Sequence, residues 1–262
     1  MDIIRFTDQS NNTFYGTDFD GKYATVLDGS PFKSFRKTKD KSEVIKLLTP
    51  IKPTSIICIG LNYRQHANET GLPIPEYPVI FMKNIASIAN PFDDIKLPES
   101  CIDPLQVDYE VELAVVIGKD AKNVSKENAN NYIAGYTIGN DISARTWQFN
   151  NGGQWVKGKS FDTFCPLGPV MVKDVDPENM NIKTVLNGEV MQNSNTSDMI
   201  FSVYELIELL SCDMTLIEGT VILTGTPGGV GFAQNPQIFL KDGDKLDLTI
   251  EGIGTLSNNV VE

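Results

Sequence analysis

The apolar residues of this chain fall mostly in short runs with the spacing of strands, and only rarely in the 3.6-residue stripe of a helix. Residues 3–6, 13–16 and 23–27 are brief β-branched and aromatic runs parted by Asn, Asp and Gly, which predicts a small β-rich unit at the N-terminus. Residues 36–41 are basic and polar. Residues 42–48 read as a short helix with Ser42 or Asp40 as its cap. Pro50 and Pro53 then stiffen a linker, so a small N-terminal β-rich domain (residues 1–52) is expected ahead of a larger one (residues 53–262).

In the larger part, residues 55–60 form a buried strand that runs into a helical turn carrying His66 and Glu69. An irregular, proline-stiffened segment follows, and then a strand ending on Lys83. Residues 107–118 predict a strand whose second half is continuously apolar and enters the core. Residues 126–133 read as a short helix capped by Ser125, and residues 133–141 as a strand that delivers Asp141 at its C-terminal end. Helical turns with Arg145, Trp147 and Gln148 come next, and residues 150–170 look like a glycine-rich loop. Asn187-Gly188 between two alternating runs is a hairpin signal. Residues 199–210 have an apolar face at helical spacing. Residues 221–231 are a strand running into a Gly-rich loop, and the tail is β again. Many short strands with few, short helices place the chain in the α+β class, mostly β. A dinucleotide-binding fold is not supported, because no GxGxxG opens a helix after a strand.

Charge narrows the partners. The chain carries 22 Lys and Arg against 34 Asp and Glu, a net charge of −12. That sign opposes nucleic acid and anionic membrane surfaces, and no window is long and apolar enough to span a bilayer. The four cysteines are far apart, with no CxxC and no Cys/His pairing, which argues against zinc and for a reduced, intracellular setting. The first residues resemble neither a signal peptide nor a basic presequence, so a cytoplasmic location is expected, with no mitochondrial targeting evident.

The candidate chemistry is acidic. Alternation along the 107–118 strand puts Glu110 and Glu112 on one side, with Asp108 behind them. Two adjacent carboxylates at the mouth of a buried strand repel unless a cation lies between them; a solvated strand end is the other reading of this stretch alone. The chain has one histidine, His66, three residues before Glu69, a spacing at which a carboxylate fixes the imidazole tautomer. A surface His beside a surface Glu is the alternative. Lys83 reads as a strand end, Arg145 as a partner for an acid, and Trp147, Trp155 and Phe161 as core.

Taken together, five stretches resemble the fumarylacetoacetate hydrolase superfamily: residues 58–66, 109–119, 139–145, 158–162 and 223–227, in that family's order and spacing. The chain is most similar to the branch with a short extra N-terminal domain, which includes acylpyruvate hydrolases and oxaloacetate tautomerases. The resemblance implies a mixed β-sandwich roll and a homodimer. It implies Glu110, Glu112 and Asp141 as ligands of Mg²⁺ or Mn²⁺ (Ca²⁺ is compatible), and His66 with Glu69 as a water-activating dyad. It places Lys159 and Thr226 at the substrate, with Gln148, Asn62 and Arg64 as further contacts. Two positions depart from the family pattern, Thr146 and Thr220, and neither is a ligand position.

An all-oxygen site suits hard cations, and such a cation with Lys159 accommodates a small anionic 2-oxo or diketo acid despite the net charge. The leading expectation is hydrolysis of a C–C bond in an acylpyruvate or β-diketo acid through an enolate, with backbone N–H groups after Gly60 or in the 226–231 loop as candidates for an oxyanion hole. The alternative is tautomerisation or decarboxylation of a 2-oxo acid such as oxaloacetate. A non-catalytic metal-binding protein is the remote third.

Overall fold

The computed structural model describes all 262 residues. Three sheets of five or more strands make up most of it. The N-terminal sheet runs, edge to edge, through Phe35–Glu43, Tyr23–Gly29, Thr13–Thr17, Ile4–Thr7 and Lys46–Leu48. The expected helix over residues 42–48 is therefore absent. Leu47 instead pairs across from Phe6 and is buried with it, Ile4 and Ala24. A helix this short has little stability of its own, whereas a strand edge with a waiting apolar partner has. This sheet also joins the larger part: Ile3 and Met171 exchange two backbone hydrogen bonds of 2.8 Å, and Ile3 and Leu27 share a core with Ile51, Ile56 and Val221.

The larger part stacks a seven-stranded mixed sheet against a five-stranded one. The first has the order Val79–Lys83, Ser55–Gly60, Thr220–Leu223, Val111–Ile117, Ile133–Asn140, Cys165–Val172, Ile88–Ala89. The second has Glu189–Asn195, Asn181–Leu186, Lys245–Ile250, Gly254–Val261, Ile95–Lys96. A core of 39 buried residues lies largely between them, Leu113, Val115 and Ile117 from one sheet meeting Ile182, Leu248 and Leu256 from the other. This is a mostly β roll, as expected. The Asn187-Gly188 hairpin is present, both turn residues at positive φ. No helix is long and apolar enough to cross a membrane.

Helices differ from expectation at their ends. Residues 126–132 form a 3₁₀ helix. The amphipathic helix begins at Val203, four residues later than predicted, where Ser202 and Glu205 form a reciprocal capping box. Residues 150–170 are more ordered than a loop: they contain the one-turn helix Trp155–Lys159 and the strand Cys165–Val172. Pro166, Gly168 and Pro169 read as breakers in sequence. They are tolerated here because Gly168 and Pro169 lie where the pairing with Ile133–Asn140 shifts register.

Candidate active site

The predicted strand over residues 107–118 is broken in the middle. Val107–Asp108 pairs with Ser143–Ala144, while Val111–Ile117 pairs with Ile133–Asn140. Both partners thus leave their ladder at the same level, and Glu110 and Asp141 lie in the gap. The gap is closed by the Asn140 side chain, whose Oδ1 accepts from the Glu110 N–H at 3.1 Å, and by the Asp141 N–H, which donates to the Glu110 carbonyl at 2.9 Å. Freed from the pleat, Glu110 and Asp141 converge with Glu112, one carboxylate oxygen of each lying within 4.8 Å of the others. All three are buried, Glu112 at 1% and Asp141 at 0% exposure, which rules out the solvated strand end.

Three buried cations meet these acids. Lys159 Nζ lies 2.7 Å from Glu110 Oε2 and 2.7 Å from Asp141 Oδ2. Lys83 Nζ donates to Asp141 Oδ1 at 2.5 Å. Arg145 donates to Asp108 Oδ2 through Nε and Nη2, and to Glu110 Oε1 at 2.7 Å. Lys83 therefore does more than end a strand. It alternates with buried Phe81 on the inner face of its strand, and that pattern was the available signal. Asp108 was also missed as a site residue. It is fully buried and its two oxygens accept five hydrogen bonds, two from Arg145 and three from the backbone N–H groups of Tyr109, Gly231 and Phe232.

Glu112 is the exception. It receives one hydrogen bond, from the Gly225 N–H at 2.7 Å, and no ion pair. Burial, then repulsion from Asp141 and Glu110, pushes its carboxyl well above the ordinary range. Burial also opposes ionisation of Glu110, but Lys159 and Arg145 outweigh it and hold Glu110 below the usual carboxylate value. Burial works against the Lys159 ammonium, and Asp141 and Glu110 more than offset it, so Lys159 stays protonated. With Glu112 ionised, four carboxylates against three cations leave one net negative charge in the interior, which is why that carboxyl holds its proton. A buried carboxylate without a counterion is costly, and three converging oxygen donors form a set that a hard divalent cation fits. Glu110, Glu112 and Asp141 are the residues that would hold it.

The cluster forms the inner end of a cavity of about 310 Å³ whose lining includes His66, Gln148, Lys159 and Thr226. His66 lies on the helix Arg64–Thr70, its Nδ1 2.7 Å from Glu69 Oε1. The other Glu69 oxygen accepts from the Gly229 N–H at 2.7 Å, so the dyad is tied to the Gly-rich loop. Gly229 has φ +104°, and a Cβ there would lie 2.0 Å from the Met191 carbonyl oxygen, so only glycine fits. Because Gly229 and Gly231 already donate to Glu69 and Asp108, neither is free for an oxyanion hole. Lys159 reaches the acids because Gly158 lets its helix approach the Arg145–Phe149 helix: a Cβ would lie 3.0 Å from the Ala144 carbonyl oxygen and the Gln148 nitrogen.

Other expected contacts lie elsewhere. Asn62 is buried behind the cavity wall and clamps Phe201 and Thr224 through their backbones. Arg64 donates to the carbonyls of Asp198 and Met199. Thr226 lines the cavity, but its hydroxyl donates to the Val111 carbonyl and accepts from Gln192. Gln148 accepts from Arg145 through Oε1 at 2.9 Å, which leaves its amide N–H groups for a ligand. Trp147 and Phe161 pack on the main core, whereas Trp155 lines the cavity. Of the two departures, Thr220 is buried and its hydroxyl pairs with that of Ser55 at 3.0 Å, and the Thr146 N–H donates to Gln106.

Two outcomes follow from the charge balance. Mg²⁺ or Mn²⁺ raises the melting temperature of the wild type and leaves that of Glu112→Gln unchanged, while metal-free Glu112→Gln is more stable than the metal-free wild type. The folded state binds a proton at Glu112 more tightly than the unfolded chain, so this second difference grows as pH rises above about 4.3; thermal melts across pH check both. Asp108→Asn, which leaves Arg145 short of a partner, costs about 3–5 kcal/mol in urea unfolding.

The comparisons agree with this geometry. Residues 55–261 match the family model "Fumarylacetoacetate (FAA) hydrolase C-terminal". The rat protein named oxaloacetate tautomerase Fahd2a, mitochondrial, is 46% identical over 224 residues, covering 84% of this chain and 71% of its own. The solved 5-carboxymethyl-2-hydroxymuconate delta-isomerase of Mycobacterium smegmatis is 39% identical, with a TM-score of 0.88 over 100% of this chain and 99% of that one. A fumarylacetoacetate hydrolase from Exiguobacterium antarcticum is 35% identical, with a TM-score of 0.83 over 100% and 99%. With the family model, the sequence relatives and the whole fold in agreement, the chain belongs to the fumarylacetoacetate hydrolase family.

Proposed function

We propose that the protein is a divalent-metal-dependent keto–enol tautomerase of a small 2-oxo acid. The observation that carries this reading is that the single imidazole, oriented by Glu69, faces the same cavity as Glu110 and Glu112, two of the three converging carboxylates. The relatives' names support it: proteins 46–50% identical to this chain are called oxaloacetate tautomerases. It reverses the priority expected from sequence, where C–C hydrolysis led.

A dication held by Glu110, Glu112 and Asp141 turns one net negative charge into one net positive charge, suited to a monoanion. Mg²⁺ or Mn²⁺ bound there supplies Lewis acidity toward the 2-oxo oxygen. The remaining work belongs to side chains. The Gln148 amide N–H groups and the third Lys159 N–H orient the substrate's carboxylate and oxo groups. Lys159, held protonated, donates a hydrogen bond to O2 as negative charge gathers there. With its Nδ1–H donated to Glu69, His66 presents a bare Nε2 as the base that takes the C3 proton. The C3–H bond breaks to His66 Nε2, its electron pair becomes the C2=C3 π bond, the C2=O2 π pair moves onto O2, and the imidazolium hands the same proton to O2. One proton moves and nothing is oxidised. The aromatic side chains of the cavity wall keep bulk water from the reacting atoms.

Hydrolysis is the second reading, favoured by the 2.7 Å His66–Glu69 contact, which equally prepares Nε2 to take a proton from water. Acetylpyruvate separates the two: rapid loss of its diketo-enol absorbance with Mg²⁺ supports hydrolysis.

For the tautomerase, enol-oxaloacetate absorbance decays faster with protein and Mg²⁺ than with Mg²⁺ alone, as followed by stopped flow; equal rates overturn the proposal. His66→Gln lowers kcat about 10²- to 10⁴-fold with the metal-induced shift in melting temperature intact.

A further inference from the structure

The polar end of the cavity occupies only part of its lining. Beyond it, four aromatic rings form a continuous arc. Phe81 packs edge-on to Trp155 with centroids 5.3 Å apart, Trp155 meets Phe149 at 6.3 Å, and Phe149 meets Phe232 at 5.4 Å. Both ends of the arc abut the charged site. Lys159 Nζ lies 5.0 Å from the Phe81 ring centroid, and Arg145 Cζ lies 5.7 Å from that of Phe232. Leu72 and Val230 complete the apolar wall. Phe149 is 47% exposed and Phe232 36%, so these rings present apolar faces to the cavity mouth that a ligand would cover.

The cations tell the same story. The cavity lining contains Arg145, Lys159 and His66 and no other basic side chain. Arg145 and Lys159 are both paired with buried carboxylates, and His66 is engaged with Glu69. The arginine nearest in sequence to His66, Arg64, is turned to the carbonyls of Asp198 and Met199. A second carboxylate on the substrate would leave water for aromatic faces without a counterion, which is unfavourable. An apolar group in the same place gains from burial.

We propose that this site takes a 2-oxo acid whose distal group is uncharged and apolar, an aryl or branched alkyl group seated on the arc of Phe81, Trp155, Phe149 and Phe232. The inference rests on the reading of the inner end as an enolate-forming 2-oxo acid site, and it names the substrate class of that site as monoanionic. Oxaloacetate is then a substrate accepted at its 2-oxo acid end and poorly matched at the other.

The test compares phenylpyruvate with oxaloacetate on the full chain loaded with Mg²⁺. Enol absorbance gives kcat/KM for each, and burial of the ring predicts at least a tenfold preference for phenylpyruvate. Phe149→Lys, which places a cation on the arc, lowers the phenylpyruvate value and raises the oxaloacetate value, narrowing the ratio at least tenfold. A wild-type preference for oxaloacetate overturns the inference while leaving the tautomerase reading in place. Equal losses for both substrates in Phe149→Lys also overturn it. If the wild type turns over neither substrate, the tautomerase reading fails, and calorimetry then decides the inference alone. Benzoylformate, an aryl 2-oxo acid without a C3 hydrogen, binds at least tenfold more tightly than the dianion oxomalonate if the arc selects as proposed; tighter binding of oxomalonate contradicts it.

Discussion

An unbalanced charge inside the fold organises this protein. Asp108, Glu110, Glu112 and Asp141 are buried together with Lys83, Arg145 and Lys159, and only Glu112 has no cation of its own. In a low-dielectric interior such an imbalance is costly. The surroundings respond in two ways. Neighbouring acids are satisfied to the limit, as at Asp108. Glu112 and its two neighbours are left in the arrangement a hard dication would complete.

The backbone serves that arrangement. The two paired strands break at the level of Glu110 and Asp141, and at that break three carboxylates from two strands converge. The loop after Thr220–Leu223 is then held against the site by acids that serve other ends: Glu112 binds its Gly225 N–H, Glu69 its Gly229 N–H, and Asp108 its Gly231 and Phe232 N–H groups. One short glycine-rich loop thereby links the imidazole, the acid cluster and an aromatic wall residue. Movement of any one of these bears on the others.

Much of this was legible in the order of residues. The mostly β class followed from short alternating runs, the hairpin from Asn187-Gly188, and the ligand candidates from carboxylates at strand ends together with a family-like order of motifs. What was not legible depends on partners distant in the chain. Residues 42–48 carry helix-compatible side chains, but Phe6 supplies a strand partner for Leu47. Asp108 is two residues from Glu110 and looks like one more charge of the same strand, until Arg145 and the Gly231 backbone are brought to it. Phe81, Phe149, Trp155 and Phe232 are spread over 152 residues of sequence and share no period; only the fold sets them in contact. Arg64 and Asn62 neighbour His66 in sequence, but their side chains turn to backbone groups of residues 198–201 and 224, partners that only the fold brings near.

The central claim is that this site moves a proton at the carbon next to a 2-oxo group without cutting the carbon skeleton. Proton NMR of oxaloacetate in D₂O with the Mg²⁺-loaded protein measures this directly. The account predicts washout of the C3 hydrogens well beyond the rate with Mg²⁺ alone and with the carbon skeleton intact. Washout no faster than with Mg²⁺ alone would contradict it.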